Sequence, residues 1–228
     1  MVVQILVLVF SVVVHEVAHG WTALQLGDPT AQEHGRLTLN PIPHIDPLGS
    51  IVLPLIMAST MGFMFGWAKP VPVHPGRLNN PRDDHPKVAA AGPASNLLLA
   101  LGFAILLGIT LAVGSHDAWA SGERQGPSAA RFLATICISG IQINVILAMF
   151  NLVPVPPLDG SWILSRFLPA EARANYENLR RRGMLLFLGF ILVLNFTPVG
   201  SLFWGAREAA ANQFLRLAET VAGLFGAY

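Results

Sequence analysis

Long apolar stretches alternate with short polar and proline-rich stretches along this chain. A helix that crosses a bilayer takes about 20 apolar residues, and four stretches are long enough. They are Val2–Leu26, Val88–Val113, Ala129–Val153 and Met184–Gly205. A fifth, Leu48–Phe65, is shorter and contains a proline, so it is either a span or a re-entrant hairpin. The pattern predicts an all-α, multi-pass membrane protein with about four to six membrane helices.

Composition narrows the class of protein further. Hydrophobic residues make up 53% of the 228 residues and charged residues only 12%, whereas soluble domains carry about 25%. The formal net charge is +1, without a basic cluster among aromatic residues, so we expect no nucleic-acid partner. Cys137 is the only cysteine, which excludes an internal disulfide. Any metal must therefore be held by His, Asp or Glu.

The first apolar stretch contains the sequence HEVAH at residues 15–19, which fits the HExxH pattern. Residues four apart share a face of a helix, so His15 and His19 are both able to bind one metal ion, with Glu16 beside them. Neutral imidazole suits zinc, which activates a water molecule while Glu16 acts as the general base. Ionisable residues inside a membrane helix usually mark a functional site, although simple pairing within a helix bundle is the alternative.

Asp159 is the candidate third ligand. It follows three prolines between Val153 and Leu158, which prevent continuation of the preceding helix. Irregular backbone at membrane depth is buried in protein or lines a wet cavity, which favours a site here. The alternative is that Asp159 caps the segment Gly160–Leu168 as its N-terminal residue. The sequence pattern alone leaves both interpretations open.

Three motifs together resemble the site-2 protease family of intramembrane zinc metalloproteases, in its short bacterial type. They are HEVAH at residues 15–19, AGPASN at 91–96 and FNLVPVPPLDG at 150–160, and the resemblance extends over roughly Val2–Leu168. It implies one zinc ion held by His15, His19 and Asp159, with Glu16 as general base. It also suggests that Asn151 stabilises the oxyanion. Many relatives have a second glycine where this chain has Ser161.

The loop between residues 27 and 47 holds further candidates. His34, His44 and Asp46 form a conceivable second metal site, although turn capping and hydrogen bonding explain them more simply. The segment from Arg36 to Leu39 alternates in polarity and predicts a short β-strand. By analogy with the family, such a strand pairs with an unwound substrate.

Basic residues set the predicted orientation, because they concentrate in cytoplasmic loops. They lie in two loops, at Lys69, Arg77, Arg82 and Lys87 and at Arg166, Arg173, Arg180, Arg181 and Arg182. If one zinc ion contacts both HEVAH and Asp159, the loop after the first helix is cytoplasmic as well. Leu48–Phe65 then enters and leaves by one face, which predicts a re-entrant hairpin.

The resulting hypothesis is an integral protein of the bacterial plasma membrane that cleaves a transmembrane segment of another membrane protein. Residues 1–168 are expected to form the metalloprotease core and residues 169–228 a membrane helix with an amphipathic tail. The rival functions are a metal transporter and a non-catalytic membrane scaffold. The substrate, the pathway and the oligomeric state do not follow from the sequence.

Overall fold

The computed structural model describes residues 2–46, 52, 69–121 and 128–225, and it contains only helices and loops over these residues. The eight α-helices in this part of the chain are α1 (Val2–Gln25), α2 (Thr30–Glu33), α3 (Pro81–Ser121), α4 (Ser128–Leu152), α5 (Gly160–Phe167), α6 (Ala170–Arg180), α7 (Gly183–Phe196) and α8 (Pro198–Leu224). Short 3₁₀ turns lie at Ile42–His44 and Pro75–Arg77.

Three helices meet the length and hydropathy expected of membrane spans: α1, the Pro81–Gly114 part of α3, and the Ala129–Leu152 part of α4. In each of them only 28–33% of the most apolar window is buried inside the protein. The remaining apolar surface, including Phe10 and Leu98, faces outward, as a bilayer-embedded bundle requires. The prediction of an all-α protein with several membrane helices is confirmed in this coarse form.

Helix α3 forms the centre of the bundle and packs against α1, α4, α5 and α8. Small residues allow these close approaches: a Cβ on Gly108 would lie 2.6 Å from the Ala218 carbonyl oxygen, and one on Gly140 would lie 2.4 Å from the Phe103 ring. Such glycines and alanines are typical of helix contacts in membranes. The buried core between the helices consists of Ala100, Ala104, Leu107, Cys137, Ile141, Val145, Ala211 and Ala218.

Helices α7 and α8 meet at an angle of 85°. Thr197 has extended backbone angles, and its hydroxyl oxygen accepts a hydrogen bond from the Val199 amide, 3.3 Å away. Pro198 occupies the first position of α8, where its missing N–H costs no hydrogen bond. The apolar stretch Met184–Gly205 is therefore two helix segments, and the second continues into the C-terminal tail that packs on α3 and α4.

The predicted β-strand from Arg36 to Leu39 is wrong: no strand lies anywhere in the described part of the chain. Its backbone groups find other partners than a neighbouring strand. The Arg36 amide donates to the Ala31 carbonyl, and the Thr38 carbonyl accepts from His44 Nε2. Local hydrogen bonds of this kind compete with the hydrogen bonds that would join two strands of a β-sheet.

The predicted hairpin Leu48–Phe65 lies outside the described residues, apart from Val52. On either side of it, the Lys69 amide donates to the His44 carbonyl across 2.9 Å.

Candidate metal centre

Three potential ligand atoms converge between α1 and the loop before α5. The His15 and His19 Nε2 atoms are 3.0 Å apart, and Asp159 Oδ2 lies 3.2 Å from the first and 3.4 Å from the second. Zinc–ligand bonds of about 2.0–2.1 Å in a tetrahedron give ligand separations of about 3.3 Å. The triangle of donors therefore fits a zinc ion and leaves its fourth position for water or substrate.

Asp159 reaches this triangle because it lies where α5 begins. Its backbone is in the N-cap position of that helix, but its side chain makes no capping hydrogen bond. The buried Oδ2 atom has no hydrogen-bond partner apart from its two histidine contacts. Capping, the alternative interpretation of this residue, is thus not what its side chain does.

The charge of Asp159 suits a metal ligand. Burial alone would raise the pKa of its carboxyl, but hydrogen bonds and charge interactions with the protonated forms of His15 and His19 outweigh burial and lower the pKa to about 2. A bound metal ion would supply the same favourable positive charge in place of those protons. The residue is consequently a carboxylate across the physiological pH range, which is the form that coordinates metal.

The space beside the three donors exists because residue 92 is glycine. A Cβ at Gly92 would lie 2.4 Å from His19 Nε2 and 2.5 Å from His15 Nε2. These separations are close to a zinc–nitrogen bond, so a methyl group there would take the volume that a metal ion needs. Gly92 therefore forms a wall of the site on α3.

Each imidazole ring is oriented by an oxygen acceptor on the side of the ring that faces away from the triangle of donor atoms. His15 Nδ1 donates to Asn96 Oδ1 across 2.6 Å, and His19 Nδ1 donates to the Val88 carbonyl across 2.7 Å. Because these partners accept, the proton of each neutral ring is assigned to Nδ1 and the lone pair to Nε2. Both Nε2 lone pairs then face the centre of the triangle, as metal-binding histidines require.

Asn96 is itself fixed by a buried polar network that crosses three helices. Its Nδ2 donates to Asn144 Oδ1 across 2.9 Å, and Asn144 Nδ2 donates to the Ser11 hydroxyl and to the Gly140 carbonyl, each at 2.9 Å. Ser11, Asn96 and Asn144 are completely buried. The network thus connects α1, α3 and α4 directly behind His15.

Glu16 is half-buried and follows His15 on α1. Its Oε2 atom accepts a hydrogen bond from the Val71 amide, 2.8 Å away. One carboxylate oxygen is thereby fixed.

The loop that carries Asp159 is also held by α6. Tyr176 donates its hydroxyl to the Pro154 carbonyl across 2.8 Å, and Arg180 Nη2 donates to the Ser161 carbonyl across 2.7 Å. The Arg180 guanidinium carbon lies 3.2 Å from the centre of the Trp162 ring. These contacts fix the backbone on both sides of Asp159.

Comparison with known proteins identifies the family. The model of the family described as Peptidase family M50 matches residues 122–196, which include Asp159. A Bacillus subtilis protein named "Putative zinc metalloprotease YwhC" is 37% identical over 214 residues, covering 93% of this chain and 89% of that protein. This chain belongs to the site-2 protease family, peptidase family M50. It is a metalloprotease, and its metal is zinc.

A second relative gives a similar result. "Putative zinc metalloprotease Rip2" of Mycolicibacterium smegmatis is 32% identical over 189 residues, which cover 82% of this chain and 64% of that protein. No solved structure matches the chain.

Other candidate residues of this M50 protease do not join the triangle. Asn151 lies in the last turn of α4, where its Nδ2 donates to the Leu147 carbonyl across 3.0 Å. His34 donates to the Thr30 carbonyl and His44 to the Thr38 carbonyl. Within residues 2–46, 69–121 and 128–225, the only group of three suited to a metal is His15, His19 and Asp159.

Several residues that support this M50 site were not assigned a role from the sequence, among them Ser11, Val71, Gly92, Asn96 and Asn144. Ser11 and Asn144 carried a usable signal, because each is a polar residue inside an apolar span. Gly92 stood in a recognised motif without an evident function. Val71 had no signal, since its contribution to the site is a backbone N–H.

Proposed function

We propose that this zinc metalloprotease hydrolyses peptide bonds in or near the transmembrane segments of other membrane proteins. The observation that carries the proposal is the depth of the donor triangle within an apolar helix. His15 and His19 lie ten and six residues before the end of α1 at Gln25, which corresponds to about 15 Å and 9 Å along the helix axis. A peptide bond that reaches these residues must enter the apolar layer.

His15, His19 and Asp159 are the proposed zinc ligands, one ion per chain. When bound, zinc lowers the pKa of a water molecule and polarises the carbonyl of the peptide bond to be cut. The two Nδ1–H bonds behind the histidines keep their donor atoms aimed at the ion. The carboxylate of Asp159 contributes a negative charge from the side of the bundle where α4 ends.

Glu16 is the proposed general base. Its carboxylate accepts a proton from the attacking water as the new bond to the carbonyl carbon forms. It then donates that proton to the nitrogen of the leaving amine as the carbon–nitrogen bond breaks. Asn151 is the proposed donor to the carbonyl oxygen where negative charge develops.

The substrate is proposed to unwind before it is cut. Carbonyl groups of an intact helix are hydrogen-bonded within the helix, so a bond inside it is shielded from attack. Helix-weakening residues near the cut are therefore expected in substrates. Asp159 keeps 18% of its side-chain surface exposed, which favours water access from the end of the bundle where its loop lies.

The location proposed for the protein is the bacterial plasma membrane, with the Asp159 loop on the cytoplasmic side. Its integral membrane character rests on the three long apolar helices and on the family. The side follows from the basic residues of the loops that adjoin the site.

The decisive experiment compares membrane-protein fragments from cells that produce wild type, Glu16→Gln or Glu208→Gln. Glu208 is an exposed residue of α8 and serves as the matched control. We expect specific fragments in wild type and Glu208→Gln, their loss in Glu16→Gln, and stoichiometric zinc in all three purified proteins. Identical fragments in all three would refute the proposal. Zinc flux into vesicles that persists in Glu16→Gln would favour a transporter.

A further inference from the structure

A segment of six residues, Lys69–His74, crosses α1 at the metal centre, and we call it the strap. Building on the proposed role of Glu16 as general base, we infer that the strap is a positioning element that holds this carboxylate in its working orientation through the Val71 N–H. Val71 is the point of contact, 2.8 Å from Glu16 Oε2 and 93% buried.

Val71 contacts α1 at two positions that are one helical turn apart. Its amide bonds to Glu16, and its side chain lies against Gly20, where a Cβ would come within 2.8 Å of Val71 Cγ1. Residues four apart share a helix face, so both contacts lie on one stripe of α1. The absence of a side chain at Gly20 is what lets the strap approach closely enough for the amide to reach Glu16.

The sequence of the strap leaves few backbone N–H groups that could donate to Glu16. Pro70 and Pro72 flank Val71, and proline has no N–H. Proline also restricts the residue before it to extended backbone, which disfavours a turn at Lys69 and Val71. Val71 consequently carries the only backbone donor between Lys69 and Val73, and it is directed at Glu16.

Both ends of the strap are fixed by buried polar groups. At the first end, the Lys69 amide donates to the His44 carbonyl across 2.9 Å, and Arg36 Nη2 donates to the Lys69 carbonyl across 2.7 Å. His44 and Arg36 are 1% and 7% exposed. These residues of the loop after α1 therefore act on the site through the strap.

At the other end, the His74 amide donates to Asp28 Oδ2 across 2.6 Å. Asp28 is fully buried and also accepts from the Thr30 amide and hydroxyl. Burial raises the pKa of Asp28, but the hydrogen bonds from Thr30 and His74 outweigh burial and lower it. The anchor is thus an ionised carboxylate that receives three hydrogen bonds, which is a strong attachment.

Fixing Glu16 has a direct benefit for proton transfer. A glutamate side chain rotates about several bonds, whereas a general base must lie within hydrogen-bond reach of its proton. Holding Oε2 at the strap confines the carboxylate and leaves Oε1 for the proton. A displacement of about 1 Å in such a group costs on the order of 100-fold in rate.

The test removes one N–H. Val71→Pro deletes the donor in the strap. Ala170→Pro, the control, introduces the same residue outside the strap, at the exposed first position of α6, where a missing N–H costs no helical hydrogen bond. Each full-length protein is reconstituted in lipid vesicles with a quenched fluorescent peptide of one apolar span that contains central glycines. We expect Val71→Pro to lower kcat by about 10–100-fold with KM and zinc affinity unchanged within about threefold. Ala170→Pro should remain within about threefold of wild type in all three quantities.

Hydrogen exchange gives a readout independent of turnover. The Val71 amide should exchange at least about tenfold faster in Glu16→Ala than in wild type, because its acceptor is gone. If Val71→Pro binds no zinc, it has misfolded, and Gly20→Ala takes its place, since the added methyl pushes Val71 away from Glu16.

Two results separate failure of this inference from failure of the proposed function. Suppose that Val71→Pro, or Gly20→Ala in its place, keeps the wild-type kcat while Glu16→Gln is inactive. This result would overturn the proposed role of the strap and leave the proposed protease function standing. Activity retained in Glu16→Gln would overturn the proposed function itself.

Discussion

Replacing Gly92 by alanine should weaken zinc binding without harming the helix that carries this residue. The new methyl carbon would lie 2.4 Å from His19 Nε2 and 2.5 Å from His15 Nε2, whereas unbonded heavy atoms rest at about 3.5 Å. About 1 Å must be taken up by the two rings, which is roughly twice the tolerance of about 0.5 Å for a functional constellation. We expect zinc affinity to fall at least about 100-fold, equivalent to about 2.7 kcal/mol.

Gly102→Ala is the matched control for this experiment. Gly102 lies on the same helix, and a Cβ there meets nothing within 4 Å. Both changes raise helix propensity equally, by about 0.5–1 kcal/mol, so a difference between them reports on the site alone. Zinc affinity is measured by competition with a fluorescent chelator, and the fold by circular dichroism. Tight zinc binding by a folded Gly92→Ala protein would show that the ion does not lie among these three donors.

Three further predictions concern the surroundings of the site. Asn96→Ala removes the acceptor behind His15 and should lower zinc affinity by about 10–100-fold in the same chelator assay; unchanged affinity would mean that the ring is oriented without it. Asn151→Ala should lower kcat by about 100–1,000-fold at full zinc occupancy, and a change of only a few-fold would assign Asn151 to helix packing. Single cysteines at Gln32 and Asn79, in a Cys137→Ala background, should react with a membrane-impermeant thiol reagent from the same side. Labelling from opposite sides would contradict the predicted re-entrant hairpin.

Much of the bundle could be predicted because the signals are local. Apolar runs locate α1, α4 and most of α3, since each helix must match the bilayer thickness. Hydropathy misses the first turns of α3, which starts at Pro81 with polar residues. There the Asn80 amide donates to Asp84 Oδ2 across 2.8 Å, a capping interaction that involves no apolar residue.

The candidate ligands could be named from the sequence for similar reasons. The spacing of His15 and His19 is a property of any helix, and the prolines before Asp159 mark a broken one. The supports of those ligands depend on which helix faces meet. Asn96 and Asn144 are 48 residues apart, and no periodicity within either helix reveals that their amides pair.

The incorrect strand prediction has the same origin. Alternating polarity from Arg36 to Leu39 describes side chains, whereas a strand also requires a neighbour with free backbone groups. In this fold the Arg36 side chain bonds to the Lys69 carbonyl, and the local carbonyls are taken by nearby donors. The pattern also misjudges burial, because the charged Arg36 is buried and the apolar Leu39 is 60% exposed.

Two separate sets of contacts hold residues 15–19 of α1 in place. Behind the ligands, the network through Asn96 orients His15 from within the bundle, whereas the strap reaches Glu16 from the loop side through Val71. Because the two supports share no residue, zinc binding and proton transfer should respond to different substitutions. Loss of the Asn96 side chain should weaken zinc binding, whereas loss of the Val71 amide should lower kcat while zinc stays bound. Combining them should give additive free-energy changes, since sites without shared partners are additive to within about 0.5 kcal/mol. Strong coupling between Asn96→Ala and Val71→Pro would instead mean that α1 itself shifts when either support is lost.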